Sequence, residues 1–382
     1  MSINFTPSWM DADLSIYRHT VERFVETEML PADEAARKRG HVEHELWLRA
    51  GELGVLCSDI PEQHGGGGGD FRHEALLYEA MSRRGLTGMS PSVHSIVAHY
   101  FLNHGTDEQK QRFLPRMARG ELVGAIAMTE PGTGSDLQGI RTRAERRGDQ
   151  YVINGSKTFI TNGYLAGVVL VVAKTDSTLR ARGTSILIVE TKEAKGFSVG
   201  RVLDKIGLKA QDTSELFFDN VEVPASNLLG SVEGQGFYQL MADLPYERTM
   251  IGVIAIAAME GAYQLTLNYV REREAFGQPI AAFQNTKFKL AEIATTIKVA
   301  RAFVDRCVTE LVAGTLDTAT ASMLKLWATE QQGKVIDECV QLHGGYGYMN
   351  EYLIARMYTD ARIQRIYGGT SEIMKEVISR AL

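Results

Sequence analysis

The spacing of apolar positions along the chain changes twice. From Asp11 to about Gly120 it is helical: Leu14, Tyr17, Val21, Phe24 and Val25, then Leu46, Leu48 and Leu53, then Leu76, Leu77 and Tyr78 recur three or four residues apart. Around Leu122 the period becomes alternating and stays so to about Val223. Residues 122–127, 168–173, 185–189 and 215–218 read as strands, and residues 151–153 and 157–160 flank Asn154-Gly155, which predicts a hairpin. Pro224 closes this region. Beyond Gly236 the period is helical again, with long helices predicted over 245–273, 285–314 and 317–342, and a last one after Gly368-Gly369-Thr370-Ser371. The expected fold is α+β and mostly α. It comprises an N-terminal helical domain (1–121), a central β-barrel or sandwich domain (122–235) and a C-terminal four-helix bundle (236–382).

Composition narrows this picture. With 382 residues, 44% hydrophobic and 23% charged, the chain is long enough for two or three domains of ordinary globular composition. The formal net charge of -6 and the lack of any long Lys/Arg run argue against nucleic acid or a membrane surface as partner. Cys57, Cys307 and Cys339 lie far apart, without the spacing of a disulfide framework or zinc site, which fits a reducing, bacterial-type cytoplasm. Residues 1–10 include Asn4, Thr6, Pro7 and Trp9 and show no apolar or Arg-rich targeting pattern. No membrane span is expected, since no apolar run reaches ~20 residues.

Chemistry-bearing residues gather in a few places. After the first predicted strand comes Thr129-Glu130-Pro131-Gly132-Thr133-Gly134-Ser135-Asp136, dense in hydroxyls and glycines. It reads either as a loop that wraps a polar ligand or as an ordinary tight turn. Gly65 to Gly69 read as a flexible, solvated loop. Glu247 falls on the same helical stripe as Leu240, Leu244, Ile251, Ile254 and Ala258. An acid buried there has a raised pKa, which suits a general base; the alternative is a salt-bridged core glutamate or a helix-start residue beside Pro245. Arg248 points about 100° away around the helix, toward a ligand phosphate rather than Glu247. Gln341-Leu342-His343-Gly344-Gly345 closes one helix, and Tyr367-Gly368-Gly369-Thr370-Ser371-Glu372 opens another. His343 has no second ligand at metal spacing, so no metal site is expected. Arg273 and Gln284 flank the turn Phe276-Gly277-Gln278-Pro279.

The segment from Thr129 to Asp136 resembles the T-E-P-x-x-G-S-D motif of the acyl-CoA dehydrogenases. The segments beginning at Gly207, Leu244 and Ile366 resemble the long-chain branch of the same family, and the likeness covers essentially the whole chain. It implies FAD bound between the β-domain and the bundle and completed by a neighbouring subunit. By position, Ile126, Ala127, Met128, Thr129, Gly134, Ser135, Phe159, Ile160, Thr161, Thr370, Ser371 and Glu372 resemble FAD contacts. Arg273, Gln284, Gln341, Leu342, His343, Gly344 and Gly345 resemble positions reaching the adjacent subunit's FAD. Ser135, Tyr238, Pro245, Tyr246, Glu247, Arg248, Gly368 and Gly369 resemble substrate contacts.

In medium- and short-chain relatives a glutamate base follows the tyrosine of the C-terminal motif, where this chain has Gly368; in long-chain and isovaleryl relatives it lies at the position of Glu247. The implied reaction is removal of the pro-R α-proton by Glu247 and passage of the β-hydride to flavin N5, giving a trans-2-enoyl-CoA. Electrons would go to an electron-transferring flavoprotein, and the assembly would be a homotetramer. An acyl-CoA oxidase and a non-catalytic flavin-binding protein of the same fold are the rival readings. Glycine at 368 suits a long straight acyl chain or a branched one.

Overall fold

The computed structural model describes residues 5–382. The reading of a targeting-free N-terminus rests partly on residues 1–4, which lie outside the described residues. The N-terminal domain is helical: α1 (Ala12–Phe24) runs through one π-turn into α2 (Leu30–Arg39), followed by α3 (His44–Glu52), α4 (Phe71–Arg83), α5 (Pro91–His104) and α6 (Asp107–Ala118). Side-chain caps fix several starts. Asp11 accepts from the Leu14 N–H, and Asp70 with His73 and Thr106 with Gln109 form reciprocal capping boxes.

The middle of the chain is one curled seven-stranded sheet, β1 (Gly124–Ala127), β2 (Arg143–Arg147), β3 (Gln150–Thr161), β4 (Val168–Lys174), β5 (Thr184–Glu190), β6 (Phe197–Val202) and β7 (Thr213–Pro224). Its order is β1-β4-β2-β3-β7-β6, with β5 also paired to β4. Every residue of β4 is buried. Val168, Leu170 and Val172 pack toward α5 and α6, while Val169, Val171 and Ala173 face the interior of the sheet. Covered on both faces, the strand reads as a continuous apolar run rather than an alternation.

The expected hairpin at Asn154-Gly155 is overturned. β3 runs unbroken through it, paired to β7 from Gln150↔Pro224 to Thr161↔Thr213 with a register shift between Ile153 and Gly155. Asn154 is tied across the sheet, its Oδ1 accepting from the Asn220 N–H at 2.9 Å. Gly155 is required because a Cβ there would lie 2.4 Å from Thr142 Oγ1. The true turn is one strand earlier, at Gly148-Asp149, where Gly148 has φ 64°.

Residues 65–69 also differ from expectation. Their amides donate into the preceding segment (Gly67 to Cys57, Gly68 to Ile60, Gly69 to Ser58), and a Cβ on Gly66 would lie 2.2 Å from the Ile60 carbonyl oxygen. The glycines are there for close packing, not for flexibility.

The C-terminal domain comprises α7 (Gly236–Ala242), α8 (Leu244–Glu272), a two-strand turn of β8 (Glu274–Ala275) and β9 (Gln278–Pro279), α9 (Gln284–Val312), α10 (Thr318–His343), α11 (Leu353–Ala361) and α12 (Ser371–Ser379). α8 is its axis, packed against α4, α9 and α10. By length and composition alone α8 is apolar enough to cross a membrane, but 78% of its most apolar window is buried by protein. A helix covered on all sides has no polar face to show. Inside this packing Arg301 on α9 donates to Glu260 Oε1 (2.6 Å) on α8 and to Glu79 Oε1 (2.5 Å) on α4, and Arg83 donates to Glu79 Oε2 (2.6 Å).

Candidate active site

A cavity of ≈290 Å³ opens between α4, α5 and α8 on one side and the sheet edge on the other. Glu247, Met250, Ile251, Ile254 and Ala258 line it, at spacings of three and four along α8. Most of the stripe read from the sequence therefore faces this cavity. Leu240 departs from it because α7 ends at Ala242 and breaks the period. From Glu247 to Ala258 the lined length is about 16 Å at ~1.5 Å per residue. Met81, Leu86 and Ile96 from α4, α5 and their connection form the facing wall.

Glu247 sits in the first turn of α8, 8% exposed. Burial pushes its carboxyl up to about 8, and the negative charge of Asp243 adds to this. The hydroxyl of Tyr100, donating to Oε1 at 3.2 Å, and the charge of Arg248 oppose it. No cation pairs with the carboxyl among the described residues. Arg248 is itself buried and donates through Nη1 to Ser322 Oγ on α10 at 2.8 Å. Burial lowers its affinity for its proton. Arg248 is not among the cavity's lining residues, so the expectation that it meets a ligand phosphate gains no support from its placement; α8 is packed on that face too.

The sheet contributes the opposite rim through Ile126, Met128, Thr129, Phe159, Ile160 and Thr161. Phe159 has φ 60° and is 66% exposed, lifted out of the β3–β7 ladder by a second register shift between Lys157 and Ile160. The motif glutamate, Glu130, is structural. Its carboxylate accepts from the amides of Arg141 (2.7 Å) and Thr142 (2.9 Å) and from Lys157 Nζ (2.9 Å). Burial brings Lys157 down to about 8, with Glu130 opposing. The loop so anchored presents Gly134 and Ser135 to solvent, and open space lies beyond Gly132 and Gly134. Ala127 points instead into the sheet core.

Near the C-terminus Tyr367 and Gly368 complete the cavity wall. Gly368 has φ 62°, and a Cβ on it would lie 2.6 Å from Ile251 Cδ1. Lys325 Nζ donates to the Gly369 carbonyl, and Thr370 caps α12. Ser371 is buried with its hydroxyl on Glu330, and Glu372 is exposed.

Other expected residues lie elsewhere. Tyr246 turns inward, its hydroxyl on Asp59 Oδ2 (2.8 Å) and Ser95 Oγ (3.0 Å), because α5 packs on that side of α8. Pro245 is half-buried at the helix start, and Tyr238 is half-exposed on α7; neither lines the cavity. A separate depression of ≈490 Å³ gathers Tyr269, Arg273, Gln341, Leu342, His343, Gly344, Gly345 and Tyr346. There His343 is held by the Cys339 carbonyl (2.8 Å) and stacks on Tyr269. Gln284 is exposed at the start of α9 and lines neither site. Sequence reasoning missed Tyr100, Asn103, His104 and Asp243, although the first three recur at i, i+3, i+4 on a buried helix, which was a readable signal.

Chemically, a long, mostly apolar slot with a buried acid and no cation beside it near one end, a second acid (Asp360) held by the Leu208 amide, and hydroxyls across from Glu247 suits removal of a proton from a carbon acid on an apolar chain. Comparison with known proteins agrees. Residues 11–121, 125–221 and 234–382 match, in order, the N-terminal, middle and C-terminal domains of acyl-CoA dehydrogenase. The mitochondrial long-chain specific acyl-CoA dehydrogenase of Rattus norvegicus is 51% identical over 370 residues, 96% of this chain and 86% of the relative. The crystal structure of an acyl-CoA dehydrogenase from Geobacillus kaustophilus superposes with a TM-score of 0.95 at 44% identity, covering 98% of this chain and 99% of its own. That of a glutaryl-CoA dehydrogenase from Mycobacterium smegmatis in complex with FADH2 does so with a TM-score of 0.89 at 30% identity, covering 97% and 95%. In three-domain architecture and in sequence along nearly its whole length, this chain belongs to the acyl-CoA dehydrogenase family.

Proposed function

We propose that the chain is an FAD-dependent dehydrogenase of long, straight-chain acyl-CoA thioesters, with Glu247 as the base. The observation that carries this is a buried carboxyl held by a hydroxyl and no cation at one end of a mostly apolar cavity about 16 Å long; the cavity's other acid, Asp360, accepts from the Leu208 amide. An extended chain advances ~3.5 Å per three bonds, so that length takes roughly a dozen carbons.

The residues present fit FAD. Met128, Thr129, Phe159, Ile160 and Thr161 offer hydroxyls, an exposed ring and backbone along one wall. Gln332 Oε1 and Gln364 Oε1, both buried on residues lining the cavity, have no hydrogen-bond partner in the chain. When bound, FAD supplies the acceptor for the hydride leaving the β-carbon. Glu247 takes the α-proton in its ionised form, and its raised proton affinity makes it a stronger base than an exposed glutamate. The Gly369 amide is the proposed donor to the thioester carbonyl oxygen, and Lys325 holds the following peptide through the Gly369 carbonyl.

Transfer of electrons to an electron-transferring flavoprotein, a homotetrameric assembly and a cytoplasmic setting complete the reading. The depression around Arg273 and Gln341 supports assembly: it lies apart from the cavity, where a second chain could use it.

Anaerobic titration of the FAD-loaded protein with thioesters from butyryl- to stearoyl-CoA and with isovaleryl-CoA, followed by the flavin absorbance, tests the proposal. Bleaching is expected to be fastest with lauroyl- to palmitoyl-CoA and to persist in air. Bleaching with short or branched thioesters alone would contradict the assigned chain, and rapid recovery in air would indicate an oxidase.

A further inference from the structure

A polar zipper joins α5 to the start of α8 beside the base. Tyr100, Asn103 and His104 lie on one face of α5. Opposite them stand Asp243 and Glu247, four residues apart and joined by the Glu247 amide donating to the Asp243 carbonyl. Asn103 Nδ2 donates to Asp243 Oδ1 at 2.7 Å and His104 Nε2 to Oδ2 at 2.9 Å, so both Asp243 oxygens are held. Glu247 is held through one oxygen only, Oε1, by the Tyr100 hydroxyl. Its Oε2 makes no hydrogen bond among the described residues, although Glu247 lines the cavity. Two carboxyls buried side by side repel, and nothing in packing alone calls for Asp243 to be an acid.

We propose that Tyr100 and the Asp243–Asn103–His104 cluster are positioning residues for Glu247: Tyr100 fixes which carboxylate oxygen faces the substrate and favours the ionised form, while Asp243 raises its proton affinity. The inference rests on Glu247 being the base. The two act in opposite directions, a hydrogen bond to the carboxylate lowering its proton affinity and a neighbouring negative charge raising it. The groups facing Glu247 are Tyr100 from α5, Asp243 and Arg248 from its own chain segment, and Tyr367 across the cavity. His104 stands behind Asp243, and Lys325 on α10 lies beside Arg248.

The test is the pH profile of kcat/KM with an artificial electron acceptor for FAD-loaded wild type, Tyr100→Phe and Asp243→Asn. It is paired with a titration of the Glu247 carboxyl by difference infrared spectroscopy against Glu247→Gln. Tyr100→Phe is expected to move the acid limb up, and Asp243→Asn to move it down, each by about half a pH unit or more, with the infrared midpoint following. Limbs that stay in place, or that move the same way, would overturn the inference. Should Asp243→Asn not fold, Tyr100→Phe alone decides, since an unmoved limb there removes Tyr100 from the role. A Glu247→Gln enzyme with near-normal turnover would instead overturn the base assignment itself, so the two failures are distinguishable.

Discussion

Two buried glutamates on the same helix have opposite fates. Glu260 lies between Arg83 and Arg301, which donate to it at 2.9 Å and 2.6 Å and also bind Glu79. Burial raises the Glu260 carboxyl even against both arginines, whereas at Glu79 on α4 the same arginines outweigh burial and hold the carboxyl below the usual range. This cluster joins α4, α8 and α9, and its charges are spent on one another. Glu247, three to four turns earlier, is as buried but has a hydroxyl for a partner and an acid for a neighbour, so its carboxyl rises to about 8. Burial makes an acid costly; the partner decides whether it becomes an anchor or a base.

The largest effect expected from breaking this contrast is chemical. Glu247→Gln should retain FAD and lower turnover by about 10²–10⁴-fold, as measured by anaerobic flavin bleaching. Next is Arg301→Ala, which leaves Glu79 and Glu260 facing each other with only Arg83 between them. A loss of about 3–5 kcal/mol in urea unfolding is expected, because one partner of a buried cluster is removed. Gly368→Ala brings a Cβ against Ile251 at a left-handed position. It should cost about 1–2 kcal/mol and depress activity on long chains more than on short ones.

A further effect concerns stability and pH. A group whose proton affinity is raised on folding makes the protein less stable as pH rises from its unfolded value, near 4.5, toward its folded value, about 8. Glu247→Gln should therefore raise the thermal midpoint at about pH 8 and change it little at about pH 5.

Much of this contrast was legible in the sequence. The three-part alternation of period located the domains because each period reflects one kind of covered face, and Glu247 stood out as an acid on an apolar stripe. What stayed hidden was decided by long-range contacts. Asn154-Gly155 is a strong local turn signal, but pairing with β7 along the whole of β3 overrides it and turns the glycine into a close-packing site. Arg248 and Tyr246 flank Glu247 and looked like ligand contacts. On a helix buried on every side, a polar residue can face inward partners as readily as a cavity, and both do. Gly65 to Gly69 looked flexible for the same reason: composition does not reveal that a neighbouring backbone passes within 3 Å of where a Cβ on Gly65, Gly66 or Gly67 would stand, or that the Glu62 and His73 side chains do so at Gly68 and Gly69.

The measurement that bears most directly on the contrast is the titration of the Glu247 carboxyl in the wild-type protein. It is read as the protonated carboxyl band lost in the infrared difference against Glu247→Gln between about pH 5 and 10. The account predicts a protonated carboxyl at neutral pH that ionises with a midpoint near 8. A midpoint in the ordinary carboxylate range, with the group already ionised at neutral pH, would contradict it.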